Sequence, residues 1–119
     1  MKDFTLYPEA LELKQLGFDE PCFAFYDESL YFPNNENQYG TFCNQKLDAS
    51  SCSAPTYSQA FRWFREKHNC YHTINLNKKY VGIAYSSVVN FSIDEFNIYE
   101  EAELGCLRKL IEIVKGGNK

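Results

Sequence analysis

His68-x-Cys70-x-His72 gathers soft ligands within five residues of one another. Strand alternation puts Cys70 and His72 on one face, and His68 closes the helix that precedes them, so three ligands can converge. Zinc takes tetrahedral nitrogen and sulfur ligation, and Cys43 or Cys52 would supply the fourth position. The paired C-x₂-C knuckles of structural zinc sites are absent, so metal binding by His68, Cys70 and His72 is an alternative reading only. The same residues offer a Cys–His nucleophilic pair. A catalytic thiol needs a nearby base, an orienting third group and some exposure. A strand cysteine beside a core helix is more often inert packing.

Other candidates are weaker. Asp19-Glu20, Asp27-Glu28, Asp94-Glu95 and Glu100-Glu101 place carboxylates side by side. Adjacent acids in turns and helix starts are usually solvated or complement a helix dipole. Arg62, Arg65, Lys67, Lys78 and Lys79, with Trp63, Tyr71 and Tyr80 nearby, could stack single-stranded bases. The cluster is small, and Phe61 and Phe64 face inward by period. Arg62, Trp63 and Arg65, together with Tyr39 in a long polar loop, are the binding candidates. There is no glycine-rich phosphate loop, nucleophile elbow or dinucleotide fingerprint. No catalytic residue and no cofactor are therefore expected, and enzymatic activity is disfavoured.

Those side chains must be held by a domain of 119 residues, of which 45% are hydrophobic and 17% aromatic. A single domain of that length can be stable on one core. With a single Met, Phe and Tyr must build much of it, each ring burying roughly 150–250 Å². No stretch is long and apolar enough to span a membrane. The N-terminus MKDFTLYPEALEL carries acids and no apolar run, so a secretory signal is not expected. Five irregularly spaced cysteines fit reduced thiols in a cytoplasmic setting. The net charge of −4 is unevenly placed: residues 1–53 hold three Lys against nine Asp/Glu, and 54–119 hold nine Lys/Arg against seven. Nucleic-acid binding is disfavoured, because phosphate contacts need a concentrated basic surface.

The elements follow from period. A helix is expected over 8–16, with Pro8 early, Glu9 at the positive end of the dipole, and Gly17 stopping it in a left-handed cap on which Phe18 closes. CFAFYDESLYF reads as a hairpin turning at Asp27-Glu28-Ser29. The polar stretch 34–53 has no period and is a binding loop, a short hairpin or disorder; loops carry function disproportionately. In 54–76 the period changes. Tyr57, Phe61, Phe64 and His68 recur at helical spacing, with Ser53 as the expected cap, and Cys70, His72, Ile74 and Leu76 then alternate. A second hairpin turns at Asn77-Lys78-Lys79, Gly82 marks a bulge or a close packing contact, and 88–93 continues as a bent or a fifth strand. Asn97 to Glu100 has the spacing of a capping box before a final helix ended by Gly116-Gly117. Gly105 falls on that helix's polar side, at a cost of about 1 kcal/mol against Ala. The expected fold is an α+β two-layer sandwich, a mainly antiparallel sheet of four to five strands under three helices, ordered α-β-β-α-β-β-(β)-α.

LYPEALELKQLGFDEPCFAFYD, APTYSQAFRWFREKHN and YEEAELGCLRKLIEIVK together resemble a family of small uncharacterised proteins carried by phages, prophages and mobile elements of gut bacteria of the Bacteroidetes type. The resemblance spans 6–115; Gly105 stands where alanine is expected, and 34–53 is variable in that family. It implies a bacterial or phage cytoplasmic setting and brings no catalytic residues. The expectation is a non-enzymatic accessory protein acting by protein–protein interaction or self-association, with homodimerisation favoured by surplus aromatic surface. The alternatives are a weak single-stranded nucleic-acid binder or a Cys/His metal protein.

Overall fold

The computed structural model describes residues 4–22, 24–27, 29–31, 51–87 and 89–117. Tyr39, Cys43 and most of the polar loop lie outside them. The described residues form three helices and two antiparallel three-stranded sheets, an α+β architecture. The element order agrees with expectation except for an added short strand, Cys52–Ser53, ahead of the second helix, and the strands divide between two sheets instead of forming one of four to five. The chain separates into two compact units, Met1–Thr56 and Tyr57–Lys119.

In the first unit, α1 spans Tyr7–Gln15 with Leu6 at the N-cap and Pro8 in the first turn. Gly17, at φ +100°, lets the chain turn back. The Phe18 amide then donates to the Leu13 carbonyl at 2.9 Å and the Gly17 amide to Lys14 at 3.0 Å. This is a complete Schellman cap, sealed by the burial of Phe18 and Leu13. β1 (Phe25–Asp27) pairs with β2 (Ser29–Tyr31) across the expected turn, and with β3 (Cys52–Ser53) on its other side. Alternation buries Cys22, Ala24 and Tyr26. The Tyr26 hydroxyl donates to the Thr5 carbonyl at 2.6 Å. Thr5 in turn donates from its amide and its hydroxyl to the Pro55 carbonyl, at 2.9 and 3.0 Å. A ring too large to bury without a partner for its oxygen thus ties the segment before α1 to the core. Ser53 does not serve as a helix cap, because it is the last residue of β3 and the next helix begins at Tyr57.

In the second unit, α2 (Tyr57–His68) leads into a meander of β4 (Tyr71–Asn77), β5 (Lys79–Tyr85) and β6 (Asn90–Phe96), closed by α3 (Tyr99–Gly117). The fifth strand of the sequence reading is therefore β6, a separate strand. α2 and α3 touch each other and both touch the sheet. Asn69, at φ 54°, ends α2 in the left-handed region, and the Cys70 amide reaches back to the Phe64 carbonyl at 3.1 Å. Lys78, at φ 67°, forms the tight turn between β4 and β5.

Two glycines let α3 approach the sheet. A Cβ on Gly82 would lie 2.8 Å from the Cys106 sulfur, and one on Gly105 would lie 2.7 Å from the Phe96 ring. Gly105 is thus a contact position on the sheet side of α3 and not a residue of its polar side. Opposite Gly82 the register slips by one residue, so that Ile93 and Asp94 of β6 face one residue of β5, a β-bulge. α3 starts at Tyr99, which moves the cap position from Asn97 to Ile98. Among the described residues no helix is long and apolar enough to cross a membrane.

Candidate functional site

The left-handed turn at Asn69 brings the end of α2 next to the β5–β6 turn, which the Ser86 amide closes by donating to the Val89 carbonyl at 2.9 Å. The last two turns of α3 complete an open cleft of about 660 Å³. His68, Cys70, Ser86, Ser87 and Asn69 give it polar edges, while Val89, Phe91, Ile113 and Val114 line it with apolar surface. That size falls within the roughly 300–1,000 Å³ of ligand clefts. Across it, the Lys109 ammonium sits 4.8 Å from the centroid of the Phe91 ring and 3.0 Å from a Glu112 carboxylate oxygen. One ion pair, neutral in sum, therefore borders an apolar floor. A smaller cleft beside it shares Asn69, Ser86 and Ser87 and is walled by the stacked rings of Tyr71 and Tyr85, 5.5 Å apart.

The groups in this cleft are not set for covalent chemistry. The Cys70 thiol donates to the His68 carbonyl at 3.4 Å, and burial pushes its pKa up, away from the thiolate a nucleophile needs. Burial lowers the pKa of His68, whose ring meets Trp63 edge-on at 4.8 Å. His72 pairs with Ala84 and stacks on Phe61 of α2, with centroids 3.6 Å apart and planes at 16°. Burial, and secondarily the Arg65 guanidinium, holds it down at about 4. Among the described residues no three His, Cys, Asp or Glu side chains come together to hold a metal. The remaining described thiols also behave as packing groups: Cys22 donates to the Glu20 carbonyl, and burial raises Cys52 and Cys106 to about 11.

Arg62 and Arg65 lie on the exposed side of α2, whereas Trp63 is 4% exposed and belongs to the core. Tyr80 meets Tyr99 edge-on at 5.8 Å. The aromatic rings near the basic edge are thus engaged with one another or buried. Tyr39 lies outside the described residues. Sequence reasoning named His68 and Cys70, but not Ser86, Ser87, Phe91, Lys109 or Glu112. The available signal was the i,i+3 pair Lys109–Glu112 set beside the apolar stripe of α3.

A second surface lies at the opposite end of β5. Leu76 is 67% exposed, Ile98 50% and Tyr99 43%. Leu76 and Tyr99 adjoin through Tyr80, which pairs with both Leu76 and Phe96 and meets the Tyr99 ring, and Ile98 directly precedes Tyr99. Lys78 and Lys79 precede Tyr80 in the chain and Glu100 and Glu101 follow Tyr99, all four exposed. No protein-family model, curated protein or solved structure matches the chain.

Proposed function

We propose that this chain is a non-enzymatic accessory protein that works by protein–protein contact, and that its own copy is the first partner. The observation carrying this reading is the exposure of the apolar side chains Leu76, Ile98 and Tyr99, with the exposed Lys78 and Lys79 close to the first in sequence and Glu100 and Glu101 next to the last. Contiguous apolar surface with a polar rim is what association sites present. Charges of both signs make such a surface self-complementary about a two-fold axis: Lys78 and Lys79 of one copy meet Glu100 and Glu101 of the other. The resemblance to phage and prophage proteins supports a bacterial cytoplasmic setting for that role. Nucleic acid is not its ligand in this reading, since the rings nearest the basic residues are already engaged.

Light scattering over a concentration series tests it. The wild-type chain is expected to pass from monomer to dimer, and a Leu76→Ser/Ile98→Ser variant to remain monomeric with unchanged circular dichroism. A wild-type chain that stays monomeric at the highest concentration, with no host protein captured by it and lost from the variant, would refute the reading.

A further inference from the structure

β6 carries a second association feature, distinct from the patch. It is an edge: β5 pairs with one side, and no described strand pairs with the other. Five of its seven residues, Asn90, Phe91, Ser92, Asp94 and Glu95, are exposed. Unpaired edges are normally blunted by proline, lysine or a bulge. β6 has neither proline nor lysine, and its bulge falls at Ile93 and Asp94. The first half, Asn90 to Ser92, keeps regular pairing with Tyr85, Ala84 and Ile83, and its other side is unpaired among the described residues.

Phe91 connects this edge to the cleft. It is 41% exposed, lies in the middle of the open half, and forms part of the cleft wall beside Ile113 and the Lys109–Glu112 pair. A strand added along this edge would project alternate side chains to the same side as Phe91. There it meets apolar wall and an ion pair whose charges cancel, which favours an uncharged apolar side chain. Past the bulge the strand presents Asp94 and Glu95, both exposed, with no base on β6 to offset them.

From this placement we propose that β6 captures an extended peptide segment of a partner protein by strand addition. The segment carries one apolar anchor that enters the cleft beside Phe91 and Lys or Arg residues that meet Asp94 and Glu95. Phe91 and Glu95 pair with Ala84 and Val81, three residues apart on β5, because the bulge absorbs one residue of β6, so the anchor and the basic residue are about three positions apart. Charge selects among occupants: a second copy of β6 carries no base to meet these acids, and a nucleic-acid strand would bring phosphates to them.

The test uses the full chain and a displayed library of short random peptides. Selection is expected to enrich peptides with one apolar residue and Lys or Arg about three positions away. An Asp94→Lys/Glu95→Lys variant is expected to bind the selected peptides about fivefold more weakly, the worth of two exposed ion pairs. Asp94→Asn/Glu95→Gln gives a smaller loss without charge reversal, which guards against a folding artefact. In amide exchange the bound peptide protects Asn90 to Ser92. Selection without basic residues, affinity indifferent to both variants, protection elsewhere than β6, or dimerisation of the free chain through β6 would each overturn the proposal. Loss of the Leu76 patch leaves this binding in place, so failure of the two readings can be told apart.

Discussion

Substituting Gly82 with alanine separates close packing from backbone flexibility as the reason for a glycine in the middle of a strand. The new methyl would sit 2.8 Å from the Cys106 sulfur, while its other neighbours, the Ile93 side chain at 3.7 Å and the Ala102 carbonyl at 3.8 Å, are at ordinary contact distance. The obstacle is therefore one atom. Cys106 is fully buried, so its sulfur has little room to move aside. Overpacking of this kind costs about 1–3 kcal/mol, and alanine returns up to about 1 kcal/mol by restricting the unfolded chain. The net expectation is a loss of about 1–2 kcal/mol. Cys106→Ala alone removes the sulfur, leaves a small void and costs about 1 kcal/mol. In that background the methyl at position 82 fills the void, so the same substitution changes sign and stabilises. Urea unfolding followed by fluorescence of Trp63, the chain's single tryptophan and a core residue of the same unit, reads both effects. Additivity of the two substitutions within about 0.5 kcal/mol would refute the packing argument.

Gly17→Ala forces a Cβ into the left-handed region at φ +100°, and should cost the first unit about 1–2 kcal/mol. Faster amide exchange at Gly17 and Phe18 is the readout, and unchanged exchange would contradict the Schellman assignment. His72 gives a pH dependence. Its folded pKa is held down at about 4 against an ordinary 6.5, so the unfolded chain binds the proton first. Stability is full above pH 6.5, declines as pH falls from 6.5 to 4, and loses no more below that. Allowing for partial exposure, the loss is about 2 kcal/mol. His72→Phe keeps the stack on Phe61 and should flatten this part of the profile; an unchanged slope would place the titration elsewhere.

What the sequence disclosed and what it withheld divide along a physical line. The turn of α1 at Gly17 and Phe18, the α2 core face and the order of elements rest on local spacing, and local spacing is legible. Ser53 and Asn97 were misplaced by the same local logic, because capping residues also occur where no helix begins within one position of them. Gly105 was misread for a different reason. Helix propensity counts only the cost of glycine in isolation, whereas here the absent Cβ makes room for the Phe96 ring. That gain comes from a strand several residues earlier and has no local signature.

The cleft was hidden for the same cause, taken further. Its walls come from the end of α2, the β5–β6 turn and the last turns of α3. Each piece reads as ordinary helix end, turn or core stripe. Only the meander places Phe91 against Lys109 and Ile113. His68 and Cys70 reached the cleft for reasons unrelated to metal chemistry: one ends a helix and the other begins the return into the sheet. His72, two residues on, satisfies the alternation that suggested a shared site, and its ring is covered by Phe61 of α2. The cleft is left with a neutral floor, and β6 with an open edge and two acids. Those are the features on which the proposed capture of an extended segment rests.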